Sequence, residues 1–394
     1  METPKKKLML TPPQSTPILS LPYDLLLNCI AHVSRLYYPT LSLVSKSFRS
    51  LVASPELYKV RSLLGRTESC LYVCLKRGSK YSWFTLCRKP DKSLTNEEED
   101  TSENKSSGYV LATASIPHST YARFGSIVAV GSNIYNIDTS TGSVSVSILD
   151  CRSHTWRTTS SIFRVKRKFL SASALDGKIY VAGVCKEDDG SYKNSVEVFD
   201  TRTQSCDPVP IPFGEEYTKV NNQTLCIDGK FHVVLFDRRL LRYRKVIQDR
   251  RVLAYDSKQG RWDEVLRPGM SHYMISDSYC EIDNVLYSAA NGAIRWYDTE
   301  ESMWREVMSL VGLPELPDGE RIQRDVRLAD YGGKMAVLWE KISRYDNSYA
   351  TIVWCAEIAL ERYQPCQIRG RVEWFDRVLT SYHYDIVKVV AATL

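Results

Sequence analysis

The feature that most constrains this chain is a spacing of aspartate and tryptophan that returns from about residue 120 onward. Asp150 is followed six residues later by Trp156, Asp256 by Trp262 and Asp298 by Trp304, and Asp200 is followed at the same distance by Cys206. The steps between successive aspartates are 50, 56 and 42, a period near fifty with connections of varying length. Before each aspartate comes a tight turn and an apolar run: Gly131 to Tyr135, Asp176 to Val181, Asp228 to Val234 and Asp283 to Tyr287. Gly332 to Leu338 opens a fifth unit, which keeps strand-like runs but lacks the Asp/Trp pair. The apolar run and the run ending in Asp read as neighbouring strands of one small antiparallel sheet. Aspartate and the Thr, Ser or Gly after it make the turn, and the Trp re-enters to pack between adjacent sheets. Such a sheet is not stable alone, but sheets set in a ring bury both faces and protect their edges. The 24 Tyr and 8 Trp agree with a β-rich chain.

These repeats resemble kelch motifs, and the ring they imply is an all-β, kelch-type β-propeller over residues 68–394. Its units fall at about 120–164, 165–213, 220–269, 271–316 and 324–370. Residues 372–394 are expected to complete a composite closing blade begun by 70–117, which makes six blades. Counting motif-bearing units alone gives five. The chain departs from the kelch pattern in two ways. The glycine doublet survives only as Gly183, and Cys206 stands where a Trp is expected.

Ahead of the repeats the period is 3.6 rather than 2. Leu26, Cys29, Ile30 and Val33 fall on one helical face, behind Ser20 as a cap, Pro22 in the first turn and Asp24 at the favoured end of the dipole. After a break at Tyr38-Pro39, Leu41, Val44, Phe48 and Leu51 form a second stripe, and Leu57, Val60 and Leu64 a third. Three short amphipathic helices cannot bury all this apolar surface by themselves, so a face is left for a partner or for the repeats. The opening Leu21-Pro22, with Asp24 and Leu25, and the run from Leu41 through Val44, Ser45 and Phe48 to Leu51 resemble an F-box over residues 17–62. The whole chain is similar to the plant F-box/kelch-repeat family. That resemblance implies that Leu21, Pro22, Leu25, Ile30, Leu41, Val44, Ser45, Phe48 and Leu51 pack the module or dock it on a Skp-type adaptor. It further implies a substrate-recognition subunit of an SCF-type ubiquitin ligase, joined through the adaptor to a cullin, with the propeller holding a target protein. A kelch scaffold or regulatory binder whose helices serve internal packing is the alternative.

Composition narrows the remaining classes. With 394 residues, 43% hydrophobic and 25% charged, the chain has the balance of a globular protein. Residues 1–16, with Lys5 to Lys7, read as a disordered tail, and 90–107 as an acidic loop inside a blade. The net charge of +6 does not argue for nucleic acid. No apolar run reaches membrane-spanning length and no signal peptide is seen, and the 11 scattered cysteines read as reduced thiols. Cytoplasm or nucleus is the expected compartment. Cys70 and Cys74 share a face of one strand and read as core. The 6 histidines form no metal-type spacing, and no nucleophile elbow or phosphate loop occurs, so no catalytic residue, metal or cofactor is expected. A Tyr/Cys/His copper site, as in some kelch-type oxidases, is the enzyme hypothesis to test.

One stretch is chemically unusual. Arg238, Arg239, Arg242, Arg244, Lys245, Arg250 and Arg251 crowd the connection inside the third unit. They read either as a target-binding loop that selects acidic surface, since arginines form forked bonds with carboxylates, or as solvated strand ends. Arg164 to Lys168 is a second, weaker basic run.

Overall fold

The computed structural model describes residues 20–89, 108–114, 124–138, 144–160, 163, 167–186, 192–212, 219–236, 250–265, 269–274, 278–317, 326–345, 348–381 and 384–394. Four short helices, α1 (Tyr23–Ala31), α2 (Tyr38–Val44), α3 (Lys46–Val52) and α4 (Pro55–Leu63), precede six four-stranded antiparallel sheets. None of the described helices is long and apolar enough to cross a membrane.

Blade 1 holds strands Ile127–Val130, Asn133–Asp138, Ser145–Asp150 and Thr155–Ser160, and blade 2 holds Arg167–Leu175, Lys178–Lys186, Tyr192–Asp200 and Cys206–Val209. Blade 3 is built from Lys219–Ile227, Lys230–Phe236, Arg250–Asp256 and Arg261–Glu264, and blade 4 from Tyr279–Ile282, Val285–Ala290, Ala293–Asp298 and Met303–Glu306. Blade 5 contains Arg327–Asp330, Met335–Tyr345, Ser348–Gln364 and Gln367–Ser381. Blade 6 joins the last strand, Asp385–Thr393, to Ser69–Arg77, Lys80–Arg88 and Tyr109–Thr113. The first strands of successive blades neighbour one another all round, and the last strand lies between those of blades 5 and 1. The ring has six blades.

One part of the expected closing blade is corrected. Only Asp385–Thr393 pairs with Ser69–Arg77, whereas residues 372–381 belong to the outer strand of blade 5 and pair with Ser348–Gln364. That strand also lies against the exit of blade 4, where Met308 N donates to Ile368 O at 2.9 Å and Gly370 N to Met308 O at 2.8 Å. A side chain at Gly370 would meet Leu310 Cδ2 at 2.5 Å, so glycine permits this close approach.

The repeated residues do what their chemistry demands. Each repeat aspartate ends the third strand of its blade, and its carboxylate takes turn N–H groups: Asp256 Oδ1 from Lys258 at 2.9 Å and Gln259 at 3.1 Å, Asp298 Oδ1 from Glu300 at 3.1 Å and Glu301 at 3.2 Å. The residue six positions on sits in the fourth strand, opposite the residue before the aspartate: Leu149 with Trp156, Phe199 with Cys206, Tyr255 with Trp262, Tyr297 with Trp304. Trp262 Nε1 donates to Pro210 O at 2.7 Å and Trp304 Nε1 to Gly269 O at 2.9 Å, tying each blade to the connection before it. Asp176-Gly177, between the first two strands of blade 2, has φ of 51° and 76°, the paired positive values of a two-residue hairpin turn.

The core is divided among the blade interfaces. On strand Ser69–Arg77, Cys70, Tyr72 and Cys74 point toward blade 1, while Leu71, Val73 and Leu75 point toward blade 5. Both faces of the strand are buried, each large side chain contributing roughly 1.5–3 kcal/mol. The two cysteines expected in the core are there. Equivalent apolar clusters fill the interfaces of blades 1 and 2, 2 and 3, 3 and 4, and 4 and 5.

In a four-stranded meander, turns between strands 1 and 2 and between strands 3 and 4 leave by one face of the ring. The other connections leave by the opposite face. This asymmetry positions everything that follows.

Candidate functional site

The helical module packs around its own small core of Leu26, Leu27, Ile30, Ala31, Phe48, Leu51 and Leu57. Its helices start by different devices. Pro22, not Ser20, holds the position just ahead of α1, with φ −50° and ψ 142° and no side-chain cap. Leu26 N bonds Pro22 O at 3.0 Å, and this places Ser20 too early to reach the first free N–H groups. The second expected stripe is two helices. Ser45 is extended at φ −161° and ψ 165°, ends α2, and caps α3 by accepting from Phe48 N at 3.1 Å. The break interrupts the helical phase, so Phe48 and Leu51 turn inward while Val44 turns outward. Cys29 is likewise exposed, and Leu64 lies beyond the end of α4.

The residues singled out for adaptor docking therefore divide. Ile30, Phe48 and Leu51 are buried, Leu41 is half-buried, and Ser45 is a cap. Leu21, Pro22, Leu25 and Val44 are exposed, Leu25 to 54% and Val44 to 64%. Tyr23 and Leu43, at 54% and 75%, add to this uncovered apolar surface and were not marked by the sequence. The signal for Leu43 was its place one residue before Val44, but a continuous helix would have concealed it.

A polar joint fixes the module to the propeller. The fully buried Arg61 donates through Nη1 to the carbonyls of Ala31 at 3.0 Å and Val33 at 2.8 Å and to the Tyr38 hydroxyl at 3.1 Å. Its Nη2 reaches Arg66 O at 2.7 Å and the Glu68 carboxylate at 2.9 Å. Glu68 also accepts from Arg35 N at 2.9 Å and Ser34 Oγ at 3.2 Å. Arg35, in the 3-10 turn Arg35–Tyr37, sends Nη1 to the Tyr58 hydroxyl and Nη2 to Cys151 O, 3.0 Å away on blade 1. Tyr58 donates to Val52 O at 2.9 Å and lies 3.2 Å from Arg152 O, and burial pushes its phenol up to about 12. Sequence reading missed this joint. Its one signal was Arg61, four residues after Leu57 and so on the apolar side of α4.

The blade 1 end of the joint gathers the residue types a copper site would use. The Tyr72 hydroxyl donates to Cys151 O at 3.0 Å and stands 2.9 Å from His154 Nε2. Cys151 takes part through its backbone carbonyl, and its thiol is directed to Leu149 O at 3.9 Å. The Arg35 guanidinium approaches His154 Nε2 to 3.5 Å, where a metal would have to sit. Burial, and after it that guanidinium, push His154 down to about 4. The cluster is a structural hydrogen-bond network.

Arg238, Arg239, Arg242, Arg244 and Lys245 lie outside the described residues. Arg250 pairs with Phe236 at the strand ends from which that connection leaves, and Arg251 is exposed with Nε 3.5 Å from Glu264 Oε1. Of the run from Arg164 to Lys168, only the backbone of Arg167 and Lys168, at the start of blade 2, is described. The connection after Phe236 joins a second to a third strand. It leaves by the face opposite the helical module, which sits at Cys151 and Arg152, in a turn between third and fourth strands.

Comparison with known proteins agrees with this architecture. Residues 18–60 match the F-box domain family, and residues 83–379 match the family described as FKB95, Kelch-repeats domain. An F-box/kelch-repeat protein of Arabidopsis thaliana is 52% identical over 389 residues, spanning 95% of this chain and 100% of the relative. A second from the same plant, named a putative F-box/kelch-repeat protein, is 48% identical over 391 residues, 97% of each chain. A third is 44% identical over 404 residues, 99% of this chain and 97% of its own. With an F-box module seated on a six-bladed kelch propeller and relatives matched from end to end, this chain belongs to the F-box/kelch-repeat family.

Proposed function

We propose that this protein is the substrate-recognition subunit of an SCF-type E3 ubiquitin ligase, docking on a Skp-type adaptor through its helical module and holding a target protein on its propeller. The observation that carries this reading is the uncovered apolar surface of Leu21, Tyr23, Leu25, Leu43 and Val44 on a module whose own core of Leu26, Leu27, Ile30, Ala31, Phe48, Leu51 and Leu57 is buried. Exposed aliphatic side chains on so small a unit mark an interaction surface. The subunit makes and breaks no bonds. It raises the effective concentration of target lysines near a ubiquitin-charged enzyme.

The polar joint supports the same reading, because proximity works only if the two bound partners keep a defined spacing. The target surface in this scheme is the face away from the adaptor, where the connection carrying Arg238, Arg239, Arg242, Arg244 and Lys245 leaves between Phe236 and Arg250. Those arginines suit an acidic target surface. Co-purification with a Skp-type adaptor tests the reading, beside a double variant carrying Leu21→Ala and Pro22→Ala. Capture that the variant loses supports it. Capture of neither chain makes the protein a kelch scaffold with a helical cap.

A further inference from the structure

Between the helical module and the propeller lies a cavity of about 1010 Å³. Ser42, Arg49 and Val52 line it from the helices, and Thr85, Tyr109 and Tyr331 from the propeller. This is at the upper end of the size of small-molecule sites in proteins.

Its charges do not balance. Arg35, Arg49, Arg152 and Lys334 face two carboxylates, Glu68 and Glu357. Both carboxylates already have cations, Glu68 at 2.9 Å from Arg61 and Glu357 at 2.6 Å from Lys334. Arg152 is matched by Asp150 at 2.7 Å. The guanidinium groups of Arg35 and Arg49 remain, with no carboxylate partner among the described residues, the Glu68 carboxylate reaching Arg35 only at its backbone N–H.

Arg35 is the telling one. It is only 9% exposed, and the hydrogen-bond partners of its guanidinium (the Tyr58 hydroxyl, the Cys151 carbonyl and His154 Nε2) are all neutral. Its Nε has no partner among the described residues, so the five N–H donors of the guanidinium are not exhausted. A buried cation is ordinarily paired with an anion, because desolvating an unpaired charge is expensive. Tyr331 adds a phenol on the opposite wall, with no hydrogen-bond partner for its hydroxyl among the described residues. Burial raises its pKa, so it stays a donor.

We propose that this cavity is a binding site for a small organic carboxylate, whose anionic group pairs with Arg35 and Arg49 while its apolar body lies against Val52, Leu86 and Tyr331. Ligand bound there touches the F-box module and the propeller at once, so it stiffens their joint. The site is independent of the adaptor-docking reading, since Leu25 and Val44 do not line the cavity.

The test is calorimetric titration of the full chain with 2-naphthoate and with its neutral counterpart 2-naphthamide. The expected result is one site that prefers the carboxylate by about tenfold or more, the worth of one charge-assisted hydrogen bond. Arg35→Gln and, separately, the exposed Arg49→Gln each weaken naphthoate about tenfold and leave naphthamide unchanged. Val44→Asp leaves both unchanged. Because Arg35 also holds the joint, Arg49→Gln keeps the test decisive if Arg35→Gln fails to fold. Equal binding of the two compounds, no binding of naphthoate, or naphthoate binding indifferent to Arg49 would overturn the proposal. So would naphthoate binding that appears only after Glu97, Glu98, Glu99 and Asp100 are changed to glutamine, because the counter-ion would then be the chain's own acidic segment.

Discussion

Arg61 Nη2, on the last helix of the F-box module, stands 2.9 Å from the carboxylate of Glu68, which precedes the first propeller strand in the chain. The arginine has no solvent exposure, and the same guanidinium holds the carbonyls of Ala31, Val33 and Arg66. One side chain thus closes the end of α1, the tail of α4 and the entry to the propeller.

Arg61→Met should therefore cost about 3–5 kcal/mol, the usual effect of removing one member of a buried ion pair. Glu68→Gln should cost about as much, roughly 3–5 kcal/mol, because it leaves the fully buried Arg61 guanidinium without its carboxylate. Chemical denaturation measures both. Limited proteolysis should show Arg61→Met releasing the helical module while the propeller stays intact.

Leu25→Asp and Val44→Asp should leave stability within about 0.5 kcal/mol of the parent, because both side chains are already in water. Each should weaken adaptor capture by tenfold or more, as loss of an apolar anchor does. Ile30→Ala and Phe48→Ala should instead lose about 2–5 kcal/mol through the cavities they open. Circular dichroism melts beside adaptor capture separate the two classes, and a Val44→Asp chain that still binds fully would remove Val44 from the interface.

His154 predicts a pH dependence of the joint. Burial and the Arg35 guanidinium lower its folded value to about 4, against about 6.5 when unfolded. The unfolded chain therefore binds the extra proton first, and stability falls as pH drops from about 6.5 to 4. The loss is on the order of 2–3 kcal/mol across that window. His154→Gln should flatten this part of the profile. Its backbone is compatible, since Gln204 holds the same turn position in blade 2 with φ 58° against 55° for His154. Denaturant midpoints measured from pH 7 to pH 4 for both chains provide the check.

Closure of the ring rests on the last strand. Val389 is 4% exposed and packs with Leu71, Val73 and Leu338. Val389→Asp should cost about 4 kcal/mol or more, as an uncompensated charge in a core does, and Val389→Ala about 2 kcal/mol. Urea unfolding followed by Trp fluorescence reads both. A small effect of Val389→Asp would mean that the ring holds without its last strand.

The sequence by itself determined the parts of this protein that depend on local chemistry. An aspartate that ends a strand and bonds the next N–H groups needs only its neighbours, so the four Asp turns and the strands beside them were legible, and with them the propeller. The F-box stripe was legible for the same reason, through spacing along one short helix. Residues 372–381 were assigned to the wrong blade because period-two alternation marks a strand without naming its partner. Val44 does not share a face with Phe48 and Leu51, because a helical stripe assumes a helix without interruption and Ser45 breaks this one. The joint was decided by tertiary structure alone. Nothing near Arg35 in the chain announces Cys151, 116 residues away. A buried arginine becomes tolerable only when folding brings carbonyls from distant segments to its guanidinium, because desolvation penalises the charge until those partners arrive.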